Sequence, residues 1–292
     1  MTSYTQKVII STYNDKKIAV EKMMDYQLIA ADYDGTLLPF GKKDVSVATV
    51  SAILKSKEKS IKFVLSTGRP LKACKDFLGA INGNADAKII QNGAEIYVGN
   101  EKIFEAKLTK EVADTVLMEG RKRKVTVVCW LNDSLYAEES DEKLNDYKKI
   151  SGVEPVVVDD LSKINCEIPT KYLWYTNEFL APVYAKEMQS LLKKKANVHT
   201  TRPPFVEFVS PLASKSIALK LVCEELGVPL KKTIAFGDGE NDIGLLKCAG
   251  LSVAMGNACN KLKSIASCIC PSCDEDGFAK YVERILDNEH NF

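Results

Sequence analysis

The sequence of 292 residues contains only two histidines, His199 and His290. Neither lies in a motif typical of a nucleophile and its base, and two imidazoles are too few for a multi-histidine metal centre. A Ser-His-Asp triad is therefore not expected. Chemistry in this chain is expected to depend on carboxylates, lysine and backbone amides.

The chain also lacks a long apolar run and an excess of charge of either sign. No stretch approaches the roughly 20 apolar residues that span a bilayer, and the apolar triplet at 8–10 is not typical of a secretory signal. Forty basic residues balance thirty-nine acidic ones, for a net charge of +1. This balance predicts neither nucleic acid nor a membrane as partner. The basic clusters at 121–124 and 193–195 are interpreted as solvated helix ends.

Nine cysteines are scattered through the chain, and an odd number does not favour a disulfide framework. Reduced thiols in a cytosol-like compartment are expected, so the predicted location is cytoplasmic. Cys268, Cys270 and Cys273 form a C-x-C-x-x-C cluster that is similar to half of a metal site. A tetrahedral zinc site needs a fourth ligand, and His290 is the remaining candidate for it. Structural or incidental thiols are therefore favoured over a metal site.

The most informative segment is 31–38, with the sequence Ala-Asp-Tyr-Asp-Gly-Thr-Leu-Leu. It continues the apolar run 28–31, and this pattern predicts a buried strand that ends in a polar turn. Asp32 and Asp34 then lie on the same side, because side chains alternate along a strand. Two carboxylates this close repel each other unless a cation or a shared proton lies between them. The segment therefore indicates a divalent metal, although Asp-x-Asp-Gly alone is equally typical of a simple turn.

Further apolar runs predict an α/β fold. Runs at 61–65 and 89–90 follow a helical pattern at 45–54, and runs at 233–236 and 251–255 come later in the chain. This order is typical of a Rossmann-like parallel sheet with right-handed crossovers. Neighbouring strand patterns with helices between them predict an α+β unit, with a mostly antiparallel sheet, in the middle of the chain.

The chain is long enough for two domains. The predicted core domain comprises residues 27–94 and 206–292, and the predicted inserted domain comprises residues 95–205. A hairpin around Gly99-Asn100 is assigned to the inserted domain. Residues 1–26 are interpreted as an N-terminal extension whose role the sequence does not indicate.

Four segments at predicted strand or helix ends carry groups suited to a phosphate ester. Aspartates supply the hard oxygen ligands that Mg²⁺ prefers, while lysine, threonine and glycine-turn amides suit an anionic phosphoryl group. A carboxylate nucleophile can also divide the hydrolysis into two steps through an aspartyl phosphate. The groups are Asp32, Asp34, Thr67, Gly68, Lys215, Asp238, Asn241 and Asp242.

These segments resemble the haloacid dehalogenase-like superfamily, and within it the Cof-type phosphatases with a large inserted α/β cap. The matching pieces occur in the family's order, with the cap between the second and the third, and the resemblance covers roughly residues 27–287. The pieces are 32–38, 66–70, 214–215 and 237–242, with further similar stretches at 91–94 and 254–258.

The resemblance implies a role for each matching residue. Asp32 is the implied nucleophile, and Asp34 is the implied general acid and base, whose backbone carbonyl also touches the metal. Asp238 is the implied second metal carboxylate, supported by Asp242, and Lys215 offsets the charge of the nucleophile. The implied phosphate or substrate contacts are Thr67, Gly68, Arg69, Asn92, Lys215 and Asn241.

Three aromatic residues need separate interpretation. Tyr33 stands between the aspartates, where leucine or isoleucine is commoner in the family, and is expected to point away from the site with little effect on chemistry. Trp130 and Trp174 are candidate substrate contacts, but packing within the cap sheet is favoured.

The resemblance thus implies a Mg²⁺-dependent phosphatase acting on a small phosphorylated metabolite, with a sugar phosphate preferred. One alternative is a phosphosugar mutase that uses the same nucleophile, although no dedicated mutase signature is visible. The other is a non-catalytic binding protein on the same scaffold, which is disfavoured because every aspartate of the opening motif is present. The substrate's identity and the oligomeric state are left open.

Overall fold

The computed structural model describes residues 26–164, 167–200 and 204–287. The predicted extension, apart from Tyr26, and His290 lie outside these residues. The strands are β1 (Leu28–Asp32), β2 (Lys62–Ser66), β3 (Ala87–Ile90), β4 (Glu95–Val98), β5 (Glu101–Glu105), β6 (Thr126–Leu131), β7 (Ser134–Ala137), β8 (Pro155–Val157), β9 (Lys171–Tyr175), β10 (Asn197–His199), β11 (Phe205–Val209), β12 (Thr233–Gly237), β13 (Leu251–Ala254) and β14 (Cys268–Ile269).

Helices connect most of these strands. They are α1 (Val47–Glu58), α2 (Lys75–Ala80), α3 (Lys110–Lys122), α4 (Glu142–Ser151), α5 (Leu180–Leu192), α6 (Lys215–Glu225), α7 (Ile243–Cys248), α8 (Asn260–Lys263) and α9 (Gly277–Leu286). Within the described ranges, none has the length and apolarity that a bilayer span requires.

The first sheet has the strand order β14-β13-β12-β1-β2-β3-β4-β5. Its strands are parallel from β14 to β3. After β1, the strands β2 and β3 are added on one side of the sheet, and after β12 the strands β13 and β14 are added on the other side. Right-handed crossovers therefore place α1 and α7 on opposite faces of the sheet. The order reverses between β1 and β12, and ligands of open α/β sheets bind at the carboxyl ends of strands at such a point.

The second sheet has the strand order β10-β11-β9-β6-β7-β8 and is antiparallel except where β7 meets β8. Because side chains alternate along each strand, one face packs against α3 and α5 and the other against α4. Trp174 is buried on the first face and Trp130 on the second. Both tryptophans therefore pack within the second sheet, which agrees with the interpretation favoured from the sequence.

The α/β class is confirmed, but three strands, namely β4, β5 and β11, pair with a sheet other than the one that the predicted domain boundaries imply. The hairpin of β4 and β5 pairs with β3 and extends the first sheet, whereas it was expected in the insertion. Left-handed backbone at Gln91, Asn92 and Gly93 reverses the chain after β3 and brings β4 back beside it. In addition, the whole of β11 pairs with β9 in the second sheet, although residues from 206 onward were assigned to the core.

Candidate active site

The predicted site segments meet at the carboxyl edge of the first sheet. Asp32 ends β1, Ser66 ends β2, and Gly237 ends β12. Neighbouring parallel strands bring these three ends side by side, and α6 begins nearby at Lys215. The topology therefore joins segments that are about 200 residues apart in the sequence.

Lys215 is a buried cation at the centre of this edge, with its side chain 1% exposed. Its Nζ donates to Asp32 Oδ1 at 2.5 Å, to Asp242 Oδ1 at 2.7 Å and to the carbonyl oxygen of Ser66 at 3.3 Å. Burial by itself would lower the pKa of Lys215, but the charges of Asp242 and Asp32 outweigh it and raise that pKa. Lys215 is therefore a permanent ammonium that holds both carboxylates.

Asp242 also organises the loop that follows β12. Its Oδ2 accepts hydrogen bonds from the backbone amides of Asp238 at 3.1 Å and Gly239 at 3.0 Å. Both of its carboxylate oxygens are thus engaged, and the residue is fully buried. This arrangement fixes the position of Asp238 relative to Asp32.

Asp32, Asp238 and Asp242 form a cluster whose carboxylate oxygens lie within 4.8 Å of one another. Burial and then the charge of Asp242 raise the pKa of Asp32 well above its usual range. The same two causes raise the pKa of Asp238 to about 7. When all three are ionised, Lys215 leaves a net charge of −2 on the cluster. Oxygen donors of this charge match a divalent cation such as Mg²⁺.

Asp34 lies outside this cluster and is held by an arginine. Arg69 binds it through two parallel hydrogen bonds, from Nε at 2.9 Å and from Nη2 at 2.6 Å. The guanidinium lies 4.8 Å from the ring centroid of Tyr33, which itself packs against Phe77. The ring of Tyr33 does not line the cavity, but it supports the arginine that positions Asp34. Tyr33 is thus outside the cavity lining, as expected, and its small effect on chemistry stays a prediction.

The turn after β1 requires glycine at position 35. Gly35 has φ +79°, and an added Cβ would lie 2.2 Å from Oδ2 of Asp238. Asn257 Nδ2 donates to the carbonyl oxygen of Gly35 at 2.8 Å, and Asn257 Oδ1 accepts from the amide of Cys273. The turn can therefore approach Asp238 closely only because position 35 has no side chain.

Candidate phosphate-binding groups follow β2, β3 and β12 at the same edge of the sheet. Asn241 Nδ2 donates to Asn92 Oδ1 at 3.1 Å, and both residues line the cavity together with Gly68. Asn92 Nδ2 is buried and has no hydrogen-bond partner among the described residues, so a donor is available for an anion. Thr67 is fully buried and outside the cavity lining, and its Oγ1 accepts the amide hydrogen of Arg69 at 3.0 Å.

The cavity above these residues has a volume of about 220 Å³, and residues of the second sheet and of α4 cover one side of it. Its roof includes Tyr147 of α4, Lys171 of β9, and Phe205 and Glu207 of β11. These roof residues were not identified in the sequence. Alternating strand patterns place side chains on a face but do not show what that face covers.

The cysteine cluster takes no part in this site. Cys270 Sγ lies 3.6 Å from the carbonyl oxygen of Ala254, and Cys273 Sγ lies 3.2 Å from that of Thr36. All cysteines within the described ranges are free thiols. In the same ranges, the group of side chains arranged to hold a metal is the aspartate cluster and contains no cysteine.

Comparison with known proteins identifies the class to which this fold and site belong. The sequence profile of the haloacid dehalogenase-like hydrolases matches residues 29–282. The chain therefore belongs to the haloacid dehalogenase-like hydrolase family, and its Cof-type resemblance and enzyme class, a phosphoric monoester hydrolase, are confirmed.

Individual relatives cover nearly the whole chain. It is 29% identical to the 5-amino-6-(5-phospho-D-ribitylamino)uracil phosphatase YcsE of Bacillus subtilis, across 89% of this chain and 95% of that one. A haloacid dehalogenase-like hydrolase from Bacteroides thetaiotaomicron has a similar structure, with a TM-score of 0.81 and 28% identity over 89% of this chain and 99% of that one. The sugar phosphatase BT4131 has a TM-score of 0.78 and 22% identity, over 88% and 98% of the two chains, so it shows a shared fold.

Proposed function

We propose that this protein is a Mg²⁺-dependent phosphatase that hydrolyses a small sugar phosphate through an aspartyl phosphate on Asp32. The observation that carries the proposal is the buried arrangement at the end of β1. There Asp32 lies 2.5 Å from the ammonium of Lys215 and within a cluster that also contains Asp238 and Asp242. We propose the cytoplasm as its location, in keeping with the free thiols.

The donor set fits a magnesium ion. Asp32, Asp238 and Asp242 offer hard oxygen atoms, and the backbone carbonyl of Asp34 is the further donor that we assign. The excess negative charge of the cluster supports a divalent ion. When bound, the ion supplies positive charge for the phosphoryl oxygens in the transition state.

The chemical steps that we propose use Asp32 and Asp34. A carboxylate oxygen of Asp32 forms a bond to phosphorus while the bond from phosphorus to the ester oxygen breaks, and Asp34 gives a proton to that oxygen. Asp34 then removes a proton from water as the water attacks phosphorus. This second step breaks the bond between Asp32 and phosphorus and releases phosphate, which returns Asp32 as a carboxylate and Asp34 as the protonated acid.

Two groups are assigned to the phosphoryl oxygens, and a third orients one of them. Lys215 supplies a buried positive charge, and Asn92 Nδ2 supplies a donor that has no other partner among the described residues. Asn241 keeps the amide of Asn92 oriented through the hydrogen bond to its Oδ1. Such prearranged donors stabilise charge that develops in the transition state.

The size of the cavity and the names of two relatives support the proposed substrate class. A cavity of about 220 Å³ accommodates a small metabolite rather than a polymer. The name of the relative YcsE describes a substrate with a phosphorylated ribityl chain, and BT4131 is named a sugar phosphatase. A phosphate ester on a short hydroxylated carbon chain is common to both names.

The nucleophile is tested with the variant Asp32→Asn. Hydrolysis of p-nitrophenyl phosphate with Mg²⁺ is expected to fall by a factor on the order of 10³ or more, because the amide cannot form the acyl phosphate. Asp114→Asn is the matched control, since Asp114 lies on α3, is 40% exposed and pairs with Lys110. Full turnover by Asp32→Asn would contradict the mechanism.

The metal and the type of reaction need separate measurements. Chelation with EDTA is expected to abolish activity, and added Mg²⁺ is expected to restore it. Incubation with a hexose 1-phosphate, followed by phosphorus NMR, distinguishes hydrolysis from transfer. Free phosphate supports the phosphatase, whereas isomerisation without free phosphate would support the mutase.

A further inference from the structure

The roof of the cavity contains a buried ion pair that the proposed chemistry does not use. Lys171 Nζ lies 3.3 Å from Oε1 of Glu207, and the two side chains are 2% and 9% exposed. They are diagonal neighbours on paired strands, because Lys171 lies opposite Val209 and Glu207 lies opposite Leu173. Both residues line the cavity. The pair therefore belongs to the roof rather than to the interior of the inserted domain.

The hydrogen-bonding capacity of this pair is not filled within the described residues. Oε2 of Glu207 is buried and has no hydrogen-bond partner there. An ammonium has three donors, and among the described residues Lys171 uses one of them, on Glu207. Buried charged groups are costly unless they are fully hydrogen-bonded, so unfilled positions at a cavity wall suit a ligand.

The rest of the roof offers little polar recognition. The hydroxyl of Tyr147 accepts a hydrogen bond from Trp130 Nε1 at 3.1 Å, and its ring packs against Phe205. Ser151 Oγ hydrogen-bonds within its own chain segment, to the carbonyl oxygen of Lys148 and the amide of Val153. Tyr147 keeps its own O–H as a donor, and the charged groups of the roof are Lys171 and Glu207.

We propose that Lys171 and Glu207 determine substrate specificity by binding neighbouring hydroxyl groups of the leaving group. Glu207 Oε2 accepts a hydrogen bond from one hydroxyl, and Lys171 donates to the oxygen of the next. Vicinal hydroxyls on a sugar or polyol chain supply this donor and this acceptor together. The inference rests on the proposed function, because the roof faces the leaving group when the phosphoryl group lies at Asp32.

The main test is the double variant Lys171→Met/Glu207→Met. Replacement of a buried ion pair by apolar residues of similar size is often tolerated by a fold, so the double variant avoids an unpaired buried charge. The substrates are p-nitrophenyl phosphate, whose leaving group has no vicinal diol, and the best substrate from a panel of sugar and polyol phosphates. We expect kcat/KM to fall at least tenfold for the polyol phosphate and less than twofold for p-nitrophenyl phosphate.

The matched control is Arg123→Met/Glu119→Met. This ion pair also lies in the inserted domain, at the end of α3, and its side chains are 18% and 19% exposed outside the cavity lining. The control is expected to leave the ratio of the two kcat/KM values unchanged. An equal fall for both substrates in the Lys171/Glu207 variant, or no fall for either, would overturn the inference.

A binding measurement separates this inference from the proposed function. Calorimetry of ribitol 5-phosphate and ribose 5-phosphate with wild type and with Glu207→Gln, carried out in EDTA to suppress turnover, reports the affinity for the intact ligand. At least a tenfold weaker affinity in the variant supports recognition by the roof, and equal affinity overturns it. A wild type that binds these ligands but hydrolyses no phosphate ester would instead refute the proposed function.

Discussion

The variant Lys215→Met tests whether one buried ammonium holds the site together. Lys215 donates to Asp32 and Asp242, and both side chains are almost completely buried. Methionine keeps an unbranched chain of similar length but removes the charge and all three donors. The substitution therefore changes the electrostatics of the cluster more than its packing.

The expected loss of stability depends on the two buried carboxylates that the variant leaves without their cation. Each hydrogen bond between ionised partners contributes roughly 1.5–3 kcal/mol, and removal of one partner from a buried pair costs about 3–5 kcal/mol. Protonation of a carboxylate limits the cost, so the two contributions do not simply add. We expect the free energy of unfolding to fall by about 3–5 kcal/mol at pH 8 without metal.

The pH dependence of this loss has a definite sign. Lys215 lowers the pKa of Asp32, so its removal raises that pKa further above the unfolded value. A raised folded-state pKa destabilises the fold where the carboxylate is ionised, which is above that pKa. The loss is therefore expected to be largest at high pH and to shrink as pH falls.

Urea unfolding in EDTA, followed by far-ultraviolet circular dichroism, measures the loss. Tryptophan fluorescence is less suitable, because Trp130 and Trp174 both lie in the second sheet. Lys261→Met is the matched control, since Lys261 pairs with Glu240 at 3.0 Å and the two side chains are 62% and 67% exposed. The control is expected to cost less than about 1 kcal/mol, and a similarly small loss for Lys215→Met would refute the reasoning.

Two further predictions concern the metal cluster. Gly35→Ala is expected to reduce kcat/KM at least 100-fold, because the added Cβ would displace the carboxylate of Asp238. Gly41 has the same φ of +79° but lies in open space, so the control Gly41→Ala is expected to retain most activity. Equal kcat/KM values for the two variants would contradict this prediction. The Kd for Mg²⁺ is expected to rise by up to roughly tenfold per pH unit below 7, because a metal ligand must be deprotonated and Asp238 has a pKa of about 7. Calorimetry measures that Kd, and an unchanged value between pH 8 and pH 6 would contradict the assignment.

Much of the core and the aspartate segments could be predicted from the sequence because their signals are local. The run that ends at Asp32 and the run that ends at Gly237 are each a buried strand followed by a polar turn, and both became strands of the parallel sheet. Parallel strands share one carboxyl edge. Once two such strands are recognised, the parallel sheet places the polar turns at their carboxyl ends next to each other.

The partners of the edge strands could not be predicted in the same way. The hairpin at 95–105 has the same local pattern whether it begins an inserted domain or extends the first sheet. Its place depends on the reversed backbone at 91–93 and on pairing with β3. Strand pairing is a contact between distant segments, so a local pattern does not determine it.

The sequence by itself determined the fold class and the residue types of the site, since strands, turns and their order follow from local patterns. The tertiary structure alone decided which charges are buried together. Lys215 at a helix start was assigned beside the nucleophile only through the family resemblance, and Lys171 at a strand start has no sequence signal that distinguishes it from a solvated lysine. Lys215 binds the aspartate cluster and Lys171 pairs with Glu207 above the cavity, because burial and pairing depend on elements that meet only when the chain is folded.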